Sequence, residues 1–511
     1  MPASPPSTTA PSAQVVPPSA EIHGLASAEH DASGASGPRR WWILIILALT
    51  QLLVVLDGTI VNIALPQAQL ELGLTDTQRQ WVVTAYALAF GALLLLGGRI
   101  ADYWGRKRTY LLGMVGFGVA SLLAGLARNG TELIAMRGLQ GVFAALLAPA
   151  ALALLTVSFP RGKDRNTAFA VFGSVAGVGA AVGLVLGGAL TEFADWRWCL
   201  WVNVPVVVVA LVAGALLIGE SKAEGDNKYD VLGTVVVVLG LGSLVYGFTL
   251  AEHSWVAPET IACLAAGVVL IALFVWIESR VAQPLLPLRV LTNKVRAGAF
   301  LVQAIFGALM IGALLYLALH LQIVLGLSPL HAGLGTLPMT IMTLLLAPAI
   351  TKFLPRFGPR PLMIGGPLVA AVALLYLSRI TVGGSYATEV LPALVVLGVG
   401  MAMVLVPLQN VALSGVEPHD AGAASATVNA SMQIGGSIGL SVFTTIYASV
   451  VAGAVVTDEA SQLAAFVDGY SAAFVATAVT MVVGAVIAAV LIRGPKEQLL
   501  PQGDQVAVHL G

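Results

Sequence analysis

Fourteen separate stretches of the sequence are apolar without interruption for roughly 20 residues, the length an α-helix needs to cross a ~30 Å hydrocarbon layer. They lie near 42–65, 81–101, 109–127, 132–156, 168–192, 199–219, 231–251, 259–278, 298–320, 333–351, 361–380, 388–410, 424–450 and 471–492. The runs are continuous, whereas strands of a membrane barrel would alternate polar and apolar residues. Only 10% of the residues are charged and 58% are hydrophobic, with a mean hydropathy of +0.91. A soluble domain carries about a quarter charged residues, because even a large core must be coated in polar surface. A soluble enzyme, a nucleic-acid-binding protein and a disordered chain are therefore excluded. The expectation is an all-α membrane protein of 14 transmembrane helices, with the lipid bilayer as its solvent.

The position of the charges orients the chain. With both termini in the cytoplasm, twenty of the 25 Lys and Arg residues fall on cytoplasmic segments and four (Arg79, Arg128, Arg197 and Arg379) fall outside, as the positive-inside rule requires. The remaining one, Arg137, lies well inside a span. The first 20 residues hold no Lys or Arg and no apolar core, so no cleavable signal is expected. Residues 1–40, rich in Pro, Ser and Ala, are expected to be a disordered cytoplasmic tail. Cys199 and Cys263 lie in different spans without metal-ligand spacing and are expected to be unpaired thiols.

An internal repeat divides the rest. Asp102-Tyr103-Trp104-Gly105-Arg106-Lys107 after span 2 is echoed by Pro355-Arg356-Phe357-Gly358-Pro359-Arg360 after span 10. Spans 4 and 12 carry mid-span prolines, Pro149 and Pro407, and spans 5 and 13 are glycine-rich. The expected organisation is an N-terminal six-helix half over 41–219 and two inserted helices with linkers over 220–296. A C-terminal six-helix half over 297–493 and a cytoplasmic tail over 494–511 complete it. Two such halves around a central cavity are the architecture of alternating-access transporters.

Four motifs stand out. Span 1 contains Leu56-Asp57-Gly58-Thr59-Ile60-Val61-Asn62. An Asp within a span costs at least about 2.5–3.5 kcal/mol and marks function by default, although an acid paired only for packing is the alternative. Gly98, Asp102, Gly105, Arg106 and Lys107 lie in and beside the short loop between spans 2 and 3, either as a conformational latch or as a basic membrane anchor. Span 4 opens with Arg137-Gly138-Leu139-Gln140-Gly141. At 1.5 Å per residue Arg137 is about 9 Å and Asp57 about 13 Å from the same outer face, so the two can pair, although Arg137 can also snorkel outward. Span 5 carries Gly179, Gly183, Gly187 and Gly188, spaced for close helix contact.

Together these motifs resemble the major facilitator superfamily, and in detail its 14-span drug/proton antiporters of the QacA and EmrB type. The resemblance covers most of the N-terminal half. It implies a proton-coupled exporter working by alternating access, with Asp57 as proton carrier tuned by Arg137, driven by the proton gradient without a cofactor. The family expects Pro after the middle glycine of the span 5 motif, where this chain has Leu184. Trp196-Arg197-Trp198, followed by Asn203-Val204-Pro205, is similar to the family's entry to span 6. A candidate substrate cavity is assigned to Asn62, Gln140, Asn203, His320, Asn429 and Gln433.

Some chemistry is excluded. Gly162-Lys163-Asp164 lacks the rest of a nucleotide-binding P-loop, and Gly435-Gly436-Ser437-Ile438-Gly439 fits a nucleophile motif but lies in an apolar helix. No enzyme activity, metal site or nucleic-acid partner is expected. Expected partners are protons and small amphiphilic organic compounds. The chain is expected to act as a monomer in the plasma membrane. Spans 10 and 13 lack the extra carboxylates that cation-selecting relatives carry, so neutral, zwitterionic, weakly acidic or singly cationic substrates are expected. An exporter of an endogenous metabolite or lipid, or a membrane sensor that has lost transport, are the alternatives.

Overall fold

In hydrocarbon every backbone N–H and C=O must be satisfied within the chain, which leaves helix as the form available to continuous apolar runs. The computed structural model describes residues 38–159, 163–222, 230–251, 254–281, 284–286, 288–416 and 421–494. Within them fourteen helices are long and apolar enough to cross a membrane. The first six are α1 (Pro38–Leu72), α2 (Asp76–Trp104), α3 (Arg106–Gly125), α4 (Gly130–Ser158), α5 (Lys163–Phe193) and α6 (Trp198–Leu217). Next come α7 (Val231–Leu250) and α8 (Pro258–Glu278). The last six are α9 (Lys294–Val324), α10 (Pro329–Phe357), α11 (Pro359–Leu377), α12 (Tyr386–Ala412), α13 (Ala421–Gly453) and α14 (Glu459–Leu491). Of the expected tails over 1–40 and 494–511, residues 1–37 and 495–511 lie outside the described residues, as do Arg161 and Lys228, while residues 38–40 form the first turn of α1 rather than part of a tail.

Most of the helices outrun their apolar runs, because polar caps extend them past the hydrocarbon. Thr75 and Gln78 form a reciprocal capping box at the start of α2, and Asn129 accepts the Glu132 N–H at the start of α4. The largest departure is α14, whose apolar run begins at 471 but whose helix begins at Glu459. Asp458 caps it by accepting the Ser461 N–H, and the first three turns are amphipathic. That carboxyl is held below its ordinary range by the Ser461 hydroxyl and backbone N–H.

The repeat is visible in the packing. Helix α1 packs on α5, α2 on α4 and α3 on α6, while α9 packs on α13, α10 on α12 and α11 on α14. The tight turns α2–α3 and α10–α11 both rest on a left-handed glycine, Gly105 (φ 125°) and Gly358 (φ 76°). A base after each turn then reaches the closing helix of its own half. Lys107 Nζ donates to the Ala215 carbonyl on α6 at 2.7 Å, and Arg360 Nη2 donates to the Ala489 carbonyl on α14 at 3.0 Å. Helices α7 and α8 pack together through Gly240, Gly247 and Gly267, and α7 rests on both α2 and α13.

The halves cross at two equivalent places, α2 on α13 and α5 on α10. An even number of spans puts the start of α1 and the end of α14 on one side of the bundle, here called the terminal side; the other is the distal side. The distal side is closed. Gln80 Nε2 donates to Ser441 Oγ at 2.6 Å, Gln322 Nε2 to the Ile63 carbonyl at 3.2 Å, and the Leu330 N–H to Glu192 at 3.0 Å. A Cβ on Gly188 would come within 2.6 Å of Leu330 Cα. One buried apolar cluster runs across this seal, from Ile60, Ala64 and Leu65 on α1 to Leu319 on α9 and Ala332 on α10. Helix α9 departs from regular geometry there, with π turns at Ala308–Ala313 and His320–Val324.

Candidate functional site

Asp57 sits midway along α1, and its side chain points into the N-terminal half rather than toward its partner. It is 0% exposed and Arg137 is 1% exposed. Both carboxylate oxygens accept from donors on other helices. Arg137 Nη1 on α4 donates to Oδ2 at 2.7 Å. Gln140 Nε2, also on α4, and Asn203 Nδ2 on α6 donate to Oδ1 at 2.6 and 2.8 Å. A charge this deep is tolerated only when paired and hydrogen-bonded.

Arg137 has partners besides the acid. Its Nη1 also donates to Gln140 Oε1 at 2.6 Å, its Nε donates to the Val82 carbonyl at 3.3 Å, and its guanidinium lies 4.4 Å from the Tyr86 ring centroid. Gln140 in turn donates to Ser121 Oγ on α3 at 2.7 Å. The cage draws on α1, α2, α3, α4 and α6. An apolar void of about 10 Å³, bordered by Arg137, Val61, Leu65 and Leu133, adjoins it. That is about the least space that holds one water.

Three of the motif glycines on α5 set the position of α1 beside Asp57. A Cβ on Gly179 would stand 3.1 Å from Leu52, and one on Gly187 would stand 2.8 Å from the Ile60 side chain. A Cβ on Gly183 would collide with Thr59 Oγ1. Gly188 faces α10 instead, so the motif joins the acid-bearing helix to the seal between halves. Leu184 keeps its N–H, and α5 is one continuous helix. Its carbonyl lies so close to α10 that only glycine fits opposite, at Gly333.

The α2–α3 loop is a separate unit. Arg106 donates to Asp102 at 2.9 and 3.1 Å, one helical turn apart across Gly105. Glu220, beyond α6, accepts the N–H groups of Lys107 and Arg108 at 3.1 and 3.2 Å, and so caps α3. A Cβ at Gly98 would meet Pro149 at ordinary contact distance. A Cβ at Gly105 would lie 2.7 Å from the Glu220 carboxylate, on top of the strained φ. Gly105→Val is therefore expected to dislodge Glu220 and slow export, while substrate binding stays within about twofold. Equilibrium binding and initial export rates on the same membranes check this; lost binding at an unchanged rate would contradict it.

The residues assigned to a substrate cavity divide. Gln140 and Asn203 are fully buried donors to Asp57 and stand in its cage. His320 lies toward the distal end of α9, where its second π turn begins. It is 0% exposed and enclosed by packing, with its ring 6.4 Å from that of Tyr470 on α14. Asn62 is buried with Oδ1 unpartnered. Asn429 and Gln433 on α13 are half-buried, and Asn429 donates to its own helix at Ser425 O, 3.3 Å away. Sequence reasoning missed Ser121 and Tyr86, which complete the Asp57 cage. A lone serine in the apolar middle of α3 was the readable signal.

Comparison with known proteins agrees with this architecture. The sequence profile of the Major Facilitator Superfamily matches residues 47–440. The puromycin resistance protein pur8 of Streptomyces alboniger is 45% identical over 80% of this chain and 82% of its own length. The cephamycin export protein CmcT of Amycolatopsis lactamdurans is 37% identical over 77% of this chain and 82% of its own. A crystal structure of the peptide transporter POT in complex with sulfate superposes with a TM-score of 0.63 at 15% identity, covering 90% of this chain and 97% of that one; this likeness concerns the fold alone. The chain belongs to the Major Facilitator Superfamily, as a multi-pass transporter whose described residues hold fourteen helices long and apolar enough to span a membrane.

Proposed function

We propose that this transporter exports amphiphilic, antibiotic-like organic compounds across the plasma membrane in exchange for protons, and that it does so as a monomer with both termini cytoplasmic. The relatives named for puromycin resistance and cephamycin export support the substrate class. The observation that carries the coupling reading is the sealed Asp57–Arg137 pair. Protonating Asp57 turns an acceptor that holds three donors into a group that must itself donate, so the cage has to rearrange. Arg137 is not stranded when it does, because Gln140 Oε1, the Val82 carbonyl and the Tyr86 ring remain to it. Two arrangements of one cage, selected by one proton, are what an exchanger needs. Binding a substrate from the cytoplasmic side and releasing it outside then follows the opening of the α2–α13 and α5–α10 crossings. One proton entering down ~150 mV supplies about 3.5 kcal/mol, enough for roughly a 300-fold gradient of a neutral compound.

The acid's engagement also bears on selectivity. A dication stripped of water needs two counter-charges. Asp57 is committed to Arg137. Glu192 accepts the Leu330 N–H, Glu278 the Leu286 N–H at 2.9 Å, and Glu389 the Thr381 hydroxyl and N–H at 2.7 and 3.0 Å, so each is held near the end of a span. Neutral, zwitterionic, weakly acidic and singly cationic compounds are expected to be carried well and divalent quaternary dyes poorly, by at least about tenfold. Everted vesicles energised with a proton gradient test this with a size-matched panel. Equal proton-dependent transport of the divalent members would overturn it.

A further inference from the structure

On the distal side, tyrosines from three helices of the C-terminal half converge. Tyr316 on α9, Tyr447 on α13 and Tyr470 on α14 are each at most 1% exposed. The Tyr447 and Tyr470 rings stack at 5.5 Å and 9°, and Tyr316 stands 5.4 and 6.0 Å from them. The Tyr316 hydroxyl is fixed to Thr444 Oγ1 at 2.7 Å. This cluster lies where the C-terminal half meets the other half: Thr444, which holds Tyr316, is one turn along α13 from the Ser441 that Gln80 bonds. Its visitor comes across the seam: the guanidinium of Arg79, on α2, lies 6.0 Å from the Tyr447 ring centroid. Arg79 is tethered to its own half, by Gln69 at 2.8 Å and Asp76 at 3.0 Å.

When the halves part on the distal side, those tethers keep Arg79 with the N-terminal half, and the tyrosine face is left behind. A buried ring face that has lost a cation attracts another. We propose that the Tyr447 face, backed by Tyr470 and Tyr316, is a release-side subsite for the aromatic or singly cationic part of the substrate. Arg79 acts there as a built-in competitor. As the distal side closes, the guanidinium returns to the ring, displaces the substrate into the medium and prevents its return. The position of Arg79 is thereby assigned to specificity and directionality rather than to orientation in the membrane. This rests on the efflux reading for its physiological cargo, but its geometry is read by binding alone.

Ethidium, a planar aromatic monocation, is the probe. Its binding to purified transporter in lipid nanodiscs is measured by fluorescence for the wild type, Arg79→Gln, and Arg79→Gln combined with Tyr447→Phe or Tyr447→Leu. Removing the competitor is expected to tighten binding about tenfold. The gain should survive Tyr447→Phe, which keeps the ring, and vanish with Tyr447→Leu, which keeps only bulk. No gain in Arg79→Gln, or a gain that persists with Leu at 447, would overturn the assignment; the latter would mean that Arg79 only latches the halves. Should Arg79→Gln fail to fold, external ethidium serves as an inhibitor of export, compared between Tyr447→Phe and Tyr447→Leu. Inhibition must then weaken in the Leu variant alone, and equal inhibition of both variants would overturn the assignment. A wild type that carries none of the amphiphile panel in vesicles would instead sink the efflux reading, whatever the binding series shows.

Discussion

Asp57→Asn is expected to insert and accumulate normally, and to lose proton-driven export to the level of empty vesicles. The amide keeps the size of the carboxyl but offers one acceptor in place of two, so it accepts either from Arg137 or from Gln140 and Asn203, as the protonated acid would, and the bundle survives. It cannot exchange a proton, so the cage has one arrangement left. Downhill counterflow of substrate should persist, which separates a coupling residue from a structural one. Arg137→Ala acts on the same cage from the other side. Leaving a buried carboxylate without its cation costs about 3–5 kcal/mol, a strain relieved by keeping Asp57 protonated. The single variant should therefore also lose coupling. Because both changes strike one network, the double variant should be less harmful than the product of the singles, by an interaction of about 0.5–3 kcal/mol. Multiplicative losses would contradict the hydrogen-bonded pair seen here at 2.7 Å.

The second large effect is steric. Gly183→Ala places a methyl against Thr59 Oγ1, and that hydroxyl is held by the Leu56 and Val55 carbonyls at 3.1 and 3.2 Å, so it has no free rotation to yield. Overpacking of this kind costs about 1–3 kcal/mol, and here it is relieved by pushing α1, with Asp57, off α5. Export should fall about tenfold or more, with protein levels little changed. Thr59→Ala, which makes room at the point of collision, should restore most of it. Failure of that rescue, with both variants well expressed, would place the glycine's role elsewhere than on α1.

The parts of this site that were legible in the sequence are those for which a single residue breaks a strong rule. Asp57 and Arg137 are ionisable residues inside apolar spans, and the rise per residue puts them at one depth. The roles of Gln140 and Asn203 were not legible, because they depend on which way α4 and α6 are turned about their axes. Helices apolar all round give almost no periodic signal from which to read that turn. The facing of His320 was not legible for the same reason, with a disturbance added: the π turn at Ala308–Ala313 shifts the facing of everything beyond it. Arg79 read simply as one of the few basic residues on the outer side. Its meaning lies in three tyrosines from three separate helices, whose convergence no spacing within one helix encodes. Span ends were short where polar caps such as Asp458 carry the helix out of the hydrocarbon, since hydropathy registers the membrane rather than the helix.

The central claim is that substrate and proton move in exchange through Asp57, and proton flux tests it most directly. Purified transporter is reconstituted into weakly buffered liposomes without any imposed proton gradient, and a steep gradient of a neutral substrate from the panel is applied while a trapped dye reports internal pH. Substrate running outward should draw protons inward and acidify the lumen, in proportion to substrate moved. In Asp57→Asn the substrate should still exchange while the internal pH stays flat. Substrate movement by the wild type without a pH change, or an undiminished pH change in Asp57→Asn, would contradict the account.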